Sequence, residues 1–199
     1  ITMKPRVYYD QFDNNYRANL NPDGTTVPFD TNGDGILDVF KTYGNGIAAE
    51  TKVSEKVVGT EIPLEFELSD RNILTLGLEY RLINQTNIQY SANFDPVTLD
   101  PLNSLQDFTD SHPFIKEVTR RVWSVYLQDT WDITDTVNIT LGARHDNYND
   151  FGSETSPRLG ITWAFLENAS LKLLYGEAFR PPSFIEMFTT NQVAIQGNE

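Results

Sequence analysis

Residues 122–133 read VWSVYLQDTWDI, 137–148 VNITLGARHDNY, 156–165 SPRLGITWAF and 170–184 SLKLLYGEAFRPPSF. Trp123, Val125, Leu127, Trp131 and Ile133 share one parity, and Ser124, Tyr126, Gln128 and Thr130 the other. Val137, Ile139, Leu141 and Ala143 likewise oppose Asn138, Thr140, Gly142 and Arg144; Leu159, Ile161, Trp163 and Phe165 oppose Arg158, Gly160 and Thr162. A period of two is that of a strand with one apolar and one polar face. The joints are Thr134-Asp135-Thr136, a polar loop at 150–155 around Gly152, and Glu167-Asn168-Ala169. Four successive antiparallel strands follow.

Working outward, the same grammar recurs with longer connections. Leu74, Leu76, Leu78, Tyr80 and Leu82 face away from Thr75, Gly77, Glu79 and Arg81. Before them, Ile62, Leu64, Phe66 and Leu68 oppose Glu61, Glu65 and Glu67, and Ser69-Asp70-Arg71-Asn72 turns the chain. Pro63 lies inside that run and predicts an edge strand or a bulge, since it donates nothing to a ladder. A weaker strand is expected at 7–20. Two long outer loops are expected at about 20–46 and 87–117, rich in Asx, Gly and Pro, which discourage a regular ladder.

Composition narrows the class. The 199 residues carry a formal charge of -13 and no cysteine. An acidic chain is a poor partner for nucleic acid, whose phosphates need a Lys/Arg face. Without cysteine there is neither a disulfide framework nor a thiolate metal site. No run approaches the ~20 apolar residues of a spanning helix, but alternating strands score as polar overall, so this does not speak against a barrel. Neither end carries a signal peptide or a closing strand, so a piece of a longer chain is expected.

Two regularities then favour a membrane wall over a soluble sandwich. Connections alternate long, short, long, short, as in outer-membrane barrels with short periplasmic turns and long outer loops. Trp123 and Trp131 share a face eight residues apart, ~26 Å along a strand. With a tilt of ~40° they are separated by roughly 20 Å vertically, near the ~25 Å between aromatic girdles. Asp129 falls on the apolar parity; an interfacial position or a bulge would each explain it.

Residues 175–188, YGEAFRPPSFIEMF, closely resemble a motif of the TonB-dependent outer-membrane receptors: aromatic-Gly-x-x-Phe-Arg-x-Pro-Ser/Asn-Phe-x-Glu. Tyr175, Gly176, Phe179, Arg180, Pro182, Ser183, Phe184 and Glu186 carry it, with Pro181 where a small residue is usual. Gln196-Gly197-Asn198 resembles the family's Gly-Asn-Pro segment, with Glu199 in place of Pro. The resemblance covers about residues 73–199. It implies an all-β fold: about seven strands of a 22-stranded, antiparallel, up-and-down transmembrane barrel, with residues 1–199 all belonging to that barrel and the plug absent. It also implies a Gram-negative outer membrane, a lipid bilayer as partner and a small-molecule metal chelate as ligand. Such receptors import a ferric siderophore or cobalamin with energy from the TonB complex, reached through an N-terminal region not in this chain. The motif itself is read as structural, and no enzyme activity or required cofactor is implied.

The sharpest local chemistry is DTNGDGILD at 30–38. Asp30, Asn32, Asp34 and Asp38 by side chain, and Ile36 by its carbonyl, are spaced as Ca²⁺ ligands with glycines for the turn. Lys41 stands where an EF-hand has its bidentate Glu, so an acidic Asx/Gly turn is the competing reading. His112 and His145 are isolated and lack the partners of a catalytic set. Tyr16, Phe29, Tyr43, Phe94 and Phe108 are loop aromatics suited either to stacking on a ligand or to packing the loops. A calcium-binding adhesive β-protein, and a passive barrel or barrel enzyme, are the alternatives to a transporter.

Overall fold

The computed structural model describes residues 1–30 and 33–189. Most of them lie in antiparallel strands: β1 (Thr2–Met3), β2 (Arg6–Asn21), β3 (Thr25–Phe29), β4 (Val39–Tyr43), β5 (Ile47–Ser69), β6 (Asn72–Phe94), β7 (Pro101–Asp107), β8 (Val118–Asp132), β9 (Val137–Tyr148), β10 (Gly152–Leu166) and β11 (Ala169–Gly176). One short helix follows, α1 (Phe184–Phe188). The main sheet runs β1-β5-β6-β8-β9-β10-β11, with β2 also on β5 and β7 also on β6. Counting β1 and β2 as one interrupted strand gives seven strands in up-and-down order, as the alternation predicts.

The chain divides into two compact units. Unit 1 comprises residues 1–10, 56–84 and 119–181; unit 2 comprises 11–55, 85–118 and 182–199.

In unit 1 the wall is built by rows across the ladders. Trp131 pairs with Ile139, Ile139 with Ile161, and Ile161 with Leu173. Tyr126 pairs with Arg144 and Arg144 with Ser156. Apolar rows thus share one face and polar rows the other. The apolar face is open: Trp123, Leu127, Trp131, Leu141 and Trp163 are each about half exposed. A soluble sandwich would bury that face against a second sheet. Here the more enclosed face is the polar one, carrying Ser124 at 2% exposure. Tight turns join β5 to β6, β8 to β9 and β10 to β11, and Asp132 N donates to Arg71 O (2.8 Å) between two of them.

Three local expectations are revised. Pro63 lies within β5, which has partners on both sides and is no edge strand. The ladder yields on the neighbouring side instead: β1 stops at Met3, Lys4 N reaches Pro63 O (3.3 Å), and β2 restarts at Arg6. The β8–β9 register runs unshifted from Val122 to Asp132, so no bulge on that side explains Asp129; its carboxylate accepts from Asn72 Nδ2 (2.6 Å). The joint near Gly152 is tighter than expected, because β10 starts at Gly152 itself and pairs with Tyr148.

Unit 2 carries the long connections, and they are more regular than composition suggests. Residues 20–46 contain the β3–β4 hairpin. Within 87–117, β6 continues to Phe94 and β7 folds back on it, pairing Ser91 with Asp107 and Phe94 with Pro101. Asp95 makes this reversal possible: its side chain accepts from Val97 N and Thr98 N, both 2.8 Å, and closes the turn in place of ladder bonds. Tyr43, Tyr90, Ala92 and Phe94 form a small core, packed by Val27, Ile47, Ala49, Leu99, Phe108 and Phe114. Gly46 sits at φ +64°, and a Cβ there would lie 2.4 Å from Asn21 O, so only glycine closes this joint.

Candidate functional site

The polar face of unit 1 condenses into a linked set of side chains on β2, β5, β6, β8 and β9. Tyr8 Oη donates to Glu79 (2.7 Å) and Tyr126 Oη to Glu61 (2.8 Å). Arg144 bonds Glu79, both oxygens of Asp146 (2.9 and 3.0 Å) and Ser124 Oγ (2.8 Å). Arg6 pairs with Glu61. The tyrosine rings bridge strands because glycines make room. Tyr8 lies across Gly59 and Tyr126 across Gly77, where an added Cβ would come within 2.1 and 1.9 Å of ring carbons. Arg158 lies over Gly142 in the same manner, at 2.9 Å. This network borders an open concavity of ≈ 600 Å³ that Glu177 and Phe179 also line.

The arrangement is a charged, hydrogen-bonded face that links four neighbouring strands and the start of β2. Most of its acids and bases pair with one another, and Ser124 Oγ donates to the Asp146 carboxylate that Arg144 also holds. The alternation at 74–82 and 122–130 had placed Glu79 and Tyr126 on this face. The tyrosine-over-glycine pairs were not anticipated, although glycines inside strands are a recognisable signal of close approach.

A second buried set lies at the β9–β10 joint. Arg120 Nε donates to Asp150 (2.7 Å), with side chains only 5% and 8% exposed. The guanidinium stacks on Tyr148 and Phe151, 5.9 and 5.1 Å from their centroids. Phe151 in turn meets Phe179 at 5.8 Å, which places part of the 175–188 motif in unit 1.

The remainder of that motif resolves locally. β11 ends at Gly176, Tyr175 Oη donates to Glu177 (2.6 Å), and Glu177 N reaches Pro157 O (3.1 Å). In unit 2, Ser183 caps α1: its Oγ accepts from Glu186 N (3.2 Å), and Glu186 accepts from Ser183 N (2.6 Å). Ser-x-x-Glu is thus a capping box, with Phe184 buried in the first turn. Pro182 precedes the cap, where a missing N–H costs little. Arg180 has partners within the fold. The segment 196–199 lies outside the described residues.

In the 30–38 loop, Asp30 holds the turn by accepting from Gly33 N and Gly35 N, both 2.7 Å, and Asp34 accepts from Ile36 N (2.8 Å). Asp38 N donates to Phe29 O (2.9 Å). Asn32 lies outside the described residues, and among those described no group of three or more His, Asp or Glu is placed to hold a metal ion. The loop aromatics separate. Tyr43 and Phe94 belong to the core and Phe108 packs against it; Phe29 lies under Lys41 (5.4 Å), and Tyr16 is exposed. His112 meets Phe108 edge-on (6.3 Å), and His145 bonds Thr155 (2.9 Å) beside Trp123 (5.7 Å).

Comparison with known proteins agrees with this geometry. A family model described as TonB dependent receptor-like, beta-barrel, matches residues 1–199. The Ferrienterobactin receptor of Escherichia coli (strain K12) is 25% identical over 138 residues, which is 67% of this chain and 18% of that protein. The Probable TonB-dependent siderophore receptor PirA of Acinetobacter baumannii is 30% identical over 78 residues, 39% of this chain and 10% of that protein. Among solved structures, the siderophore receptor PirA from Acinetobacter baumannii superposes with a TM-score of 0.51 at 21% identity, covering 90% of this chain and 23% of that one. At that identity the superposition speaks to fold alone. The chain spans less than a quarter of each.

Proposed function

The chain belongs to the TonB-dependent receptor family, as part of its β-barrel, and from that premise we propose that it is wall and outer loops of an active-transport receptor in the outer membrane of a Gram-negative bacterium. The receptor takes up a scarce, chelated nutrient, a ferric siderophore before a cobalamin, because one relative is named a ferrienterobactin receptor and another a probable siderophore receptor. Energy comes from the TonB complex through a segment outside this chain. The wall's partner is the bilayer, met by the open apolar face with its tryptophans. The family is one of transport receptors, and the polar face offers charge pairing rather than catalysis.

The observation that carries the reading is the two-faced sheet of unit 1. Exposed aromatic and aliphatic rows on one side and a satisfied ionic network on the other suit a wall between lipid and a polar lumen. Uptake of labelled ferric siderophores and cobalamin by a strain lacking the whole gene tests it. Loss of uptake of at least one is expected; unchanged uptake of all overturns the reading.

A further inference from the structure

Unit 2 contains an open concavity of ≈ 660 Å³. Five of its twelve lining residues are carboxamides: Asn19 and Asn21 on β2, Asn45 before β5, Asn93 on β6 and Asn103 on β7. The charged side chains in it are Arg17 and Asp23, one of each sign. Asn93 is buried and fixes the shape, accepting from Ala48 N (2.7 Å) and donating to Gly46 O (2.9 Å). Asn45 Nδ2 ties the β4–β5 joint to Asn103 O (3.0 Å). The side chains of Asn19, Asn21 and Asn103 are exposed, and each carboxamide offers donors and an acceptor.

Charge around the concavity points the same way. Residues 11–55 and 85–118 carry twelve Asp and Glu against four Lys and Arg. A multiply anionic ligand is best held by several Arg forks or Lys ammoniums. Here it would meet one arginine, offset by Asp23, in a surplus of negative charge that slows its approach. A neutral chelate presenting carbonyl oxygens and amide N–H groups would meet matching groups and no repulsion.

Resting on the transport reading above, we propose that this concavity is a subsite for a neutral, hydrogen-bonding metal chelate of the hydroxamate class, and that it disfavours trianionic chelates of the catecholate class. The test uses the full-length receptor, with the neutral ferric complex of a trihydroxamate and the trianionic ferric complex of a tricatecholate as probes. Binding is measured on the purified protein and uptake in producing cells. The trihydroxamate complex should bind roughly 10-fold or more tightly than the tricatecholate. Paired Asn19→Leu and Asn103→Leu should weaken it about tenfold at unchanged surface abundance, as should the near-isosteric pair Asn19→Asp and Asn103→Asp, which removes the amide donors. Equal or tighter binding of the tricatecholate overturns the inference while leaving transport intact. Trihydroxamate binding that is indifferent to both paired variants overturns the assignment of the site. No binding of either probe, with labelled uptake unchanged by deletion of the gene, overturns the inference and the transport reading together.

Discussion

The ring of Tyr126 lies flat across Gly77 on the neighbouring strand, so close that a methyl group there would fall 1.9 Å from its Cζ. Tyr8 repeats the arrangement over Gly59. Each glycine leaves a gap in the pleat, and each tyrosine fills it and extends its hydroxyl to a carboxylate one strand further on. Gly77→Ala must push the ring aside and break its bond to Glu61. A loss of about 1–3 kcal/mol is expected, read from denaturant unfolding of the refolded full receptor in detergent. Tyr126→Phe keeps the ring and loses the hydroxyl, costing about 0.5–1.5 kcal/mol. If alanine at Gly77 costs less than phenylalanine at Tyr126, the ring does not seal the gap.

Arg144 links Glu79, Asp146 and Ser124, so its removal leaves the two acids with Arg81, 3.5 Å from Glu79, as their remaining cation. Arg144→Met should destabilise the barrel by about 1.5–3 kcal/mol. Adding Glu79→Gln should recover part of that loss, with a coupling of about 0.5–3 kcal/mol for groups in one network. A double-mutant cycle in the same unfolding assay measures it, and strict additivity would mean that the two residues act independently.

How much of this was legible in the sequence depends on the range of each interaction. Strand parity was legible, because alternation is local and a wall between two media enforces it at every position: Glu79, Tyr126 and Arg144 fall on the polar face as their parity requires. The seven-strand meander followed from the same pattern. The edge reading of Pro63 fails because its cost depends on the neighbouring strand, where the interruption falls at Lys4 and Pro5 instead. The ladder inside 87–117 was missed because Asp95 and Asn93 supply by side chain the bonds that prolines and turns remove. The tyrosine-over-glycine pairs join residues about fifty positions apart, and no local pattern reports them. Glu186 could have been read as a capping partner, since Ser-x-x-Glu needs only four residues.

Acidification should loosen the turn at 95–100. Hydrogen bonds from Thr98 N and Val97 N hold the Asp95 carboxyl below its ordinary range, and Lys41 and Thr98 do the same for Asp100. A lowered folded-state value means that the stabilisation is present above the ordinary aspartate value of about 3.9 and is lost as pH falls through the lowered one. Amide exchange at 95–100 in the full receptor should therefore speed up, after correction for the intrinsic rate, only below about pH 4. Loosening already near neutral pH would mean that these carboxylates do not close the turn.

The capping box at Ser183 makes a local prediction. Ser183→Ala removes the acceptor for Glu186 N and should cost about 0.5–2 kcal/mol at the start of α1. In so short a helix this should appear as faster amide exchange and protease cleavage at 184–188, while Ser183→Asp restores protection. Strand protection at 152–176 should not change. If alanine at Ser183 leaves the helix as protected as before, the motif's serine and glutamate serve something other than the cap.

Calcium at the 30–38 loop is a proposal, and the loop's own bonds set its strength. Both carboxylate oxygens of Asp30 already receive backbone amides, from Gly33 and Gly35, so the turn closes without an ion. An ion would share those oxygens, with Asp34 and Asp38 as the further charged ligands and Lys41 where a bidentate glutamate would stand. Affinity in the weak range of extracellular modules, about 10⁻⁴–10⁻³ M, is the expectation. Isothermal titration of the intact receptor should then give heat at millimolar Ca²⁺ that paired Asp34→Asn and Asp38→Asn abolish. Asp30 is left in place in that variant because its loss would unmake the turn itself. No heat at millimolar Ca²⁺ in the unaltered receptor ends the proposal, and the aspartates are then acceptors for their own loop.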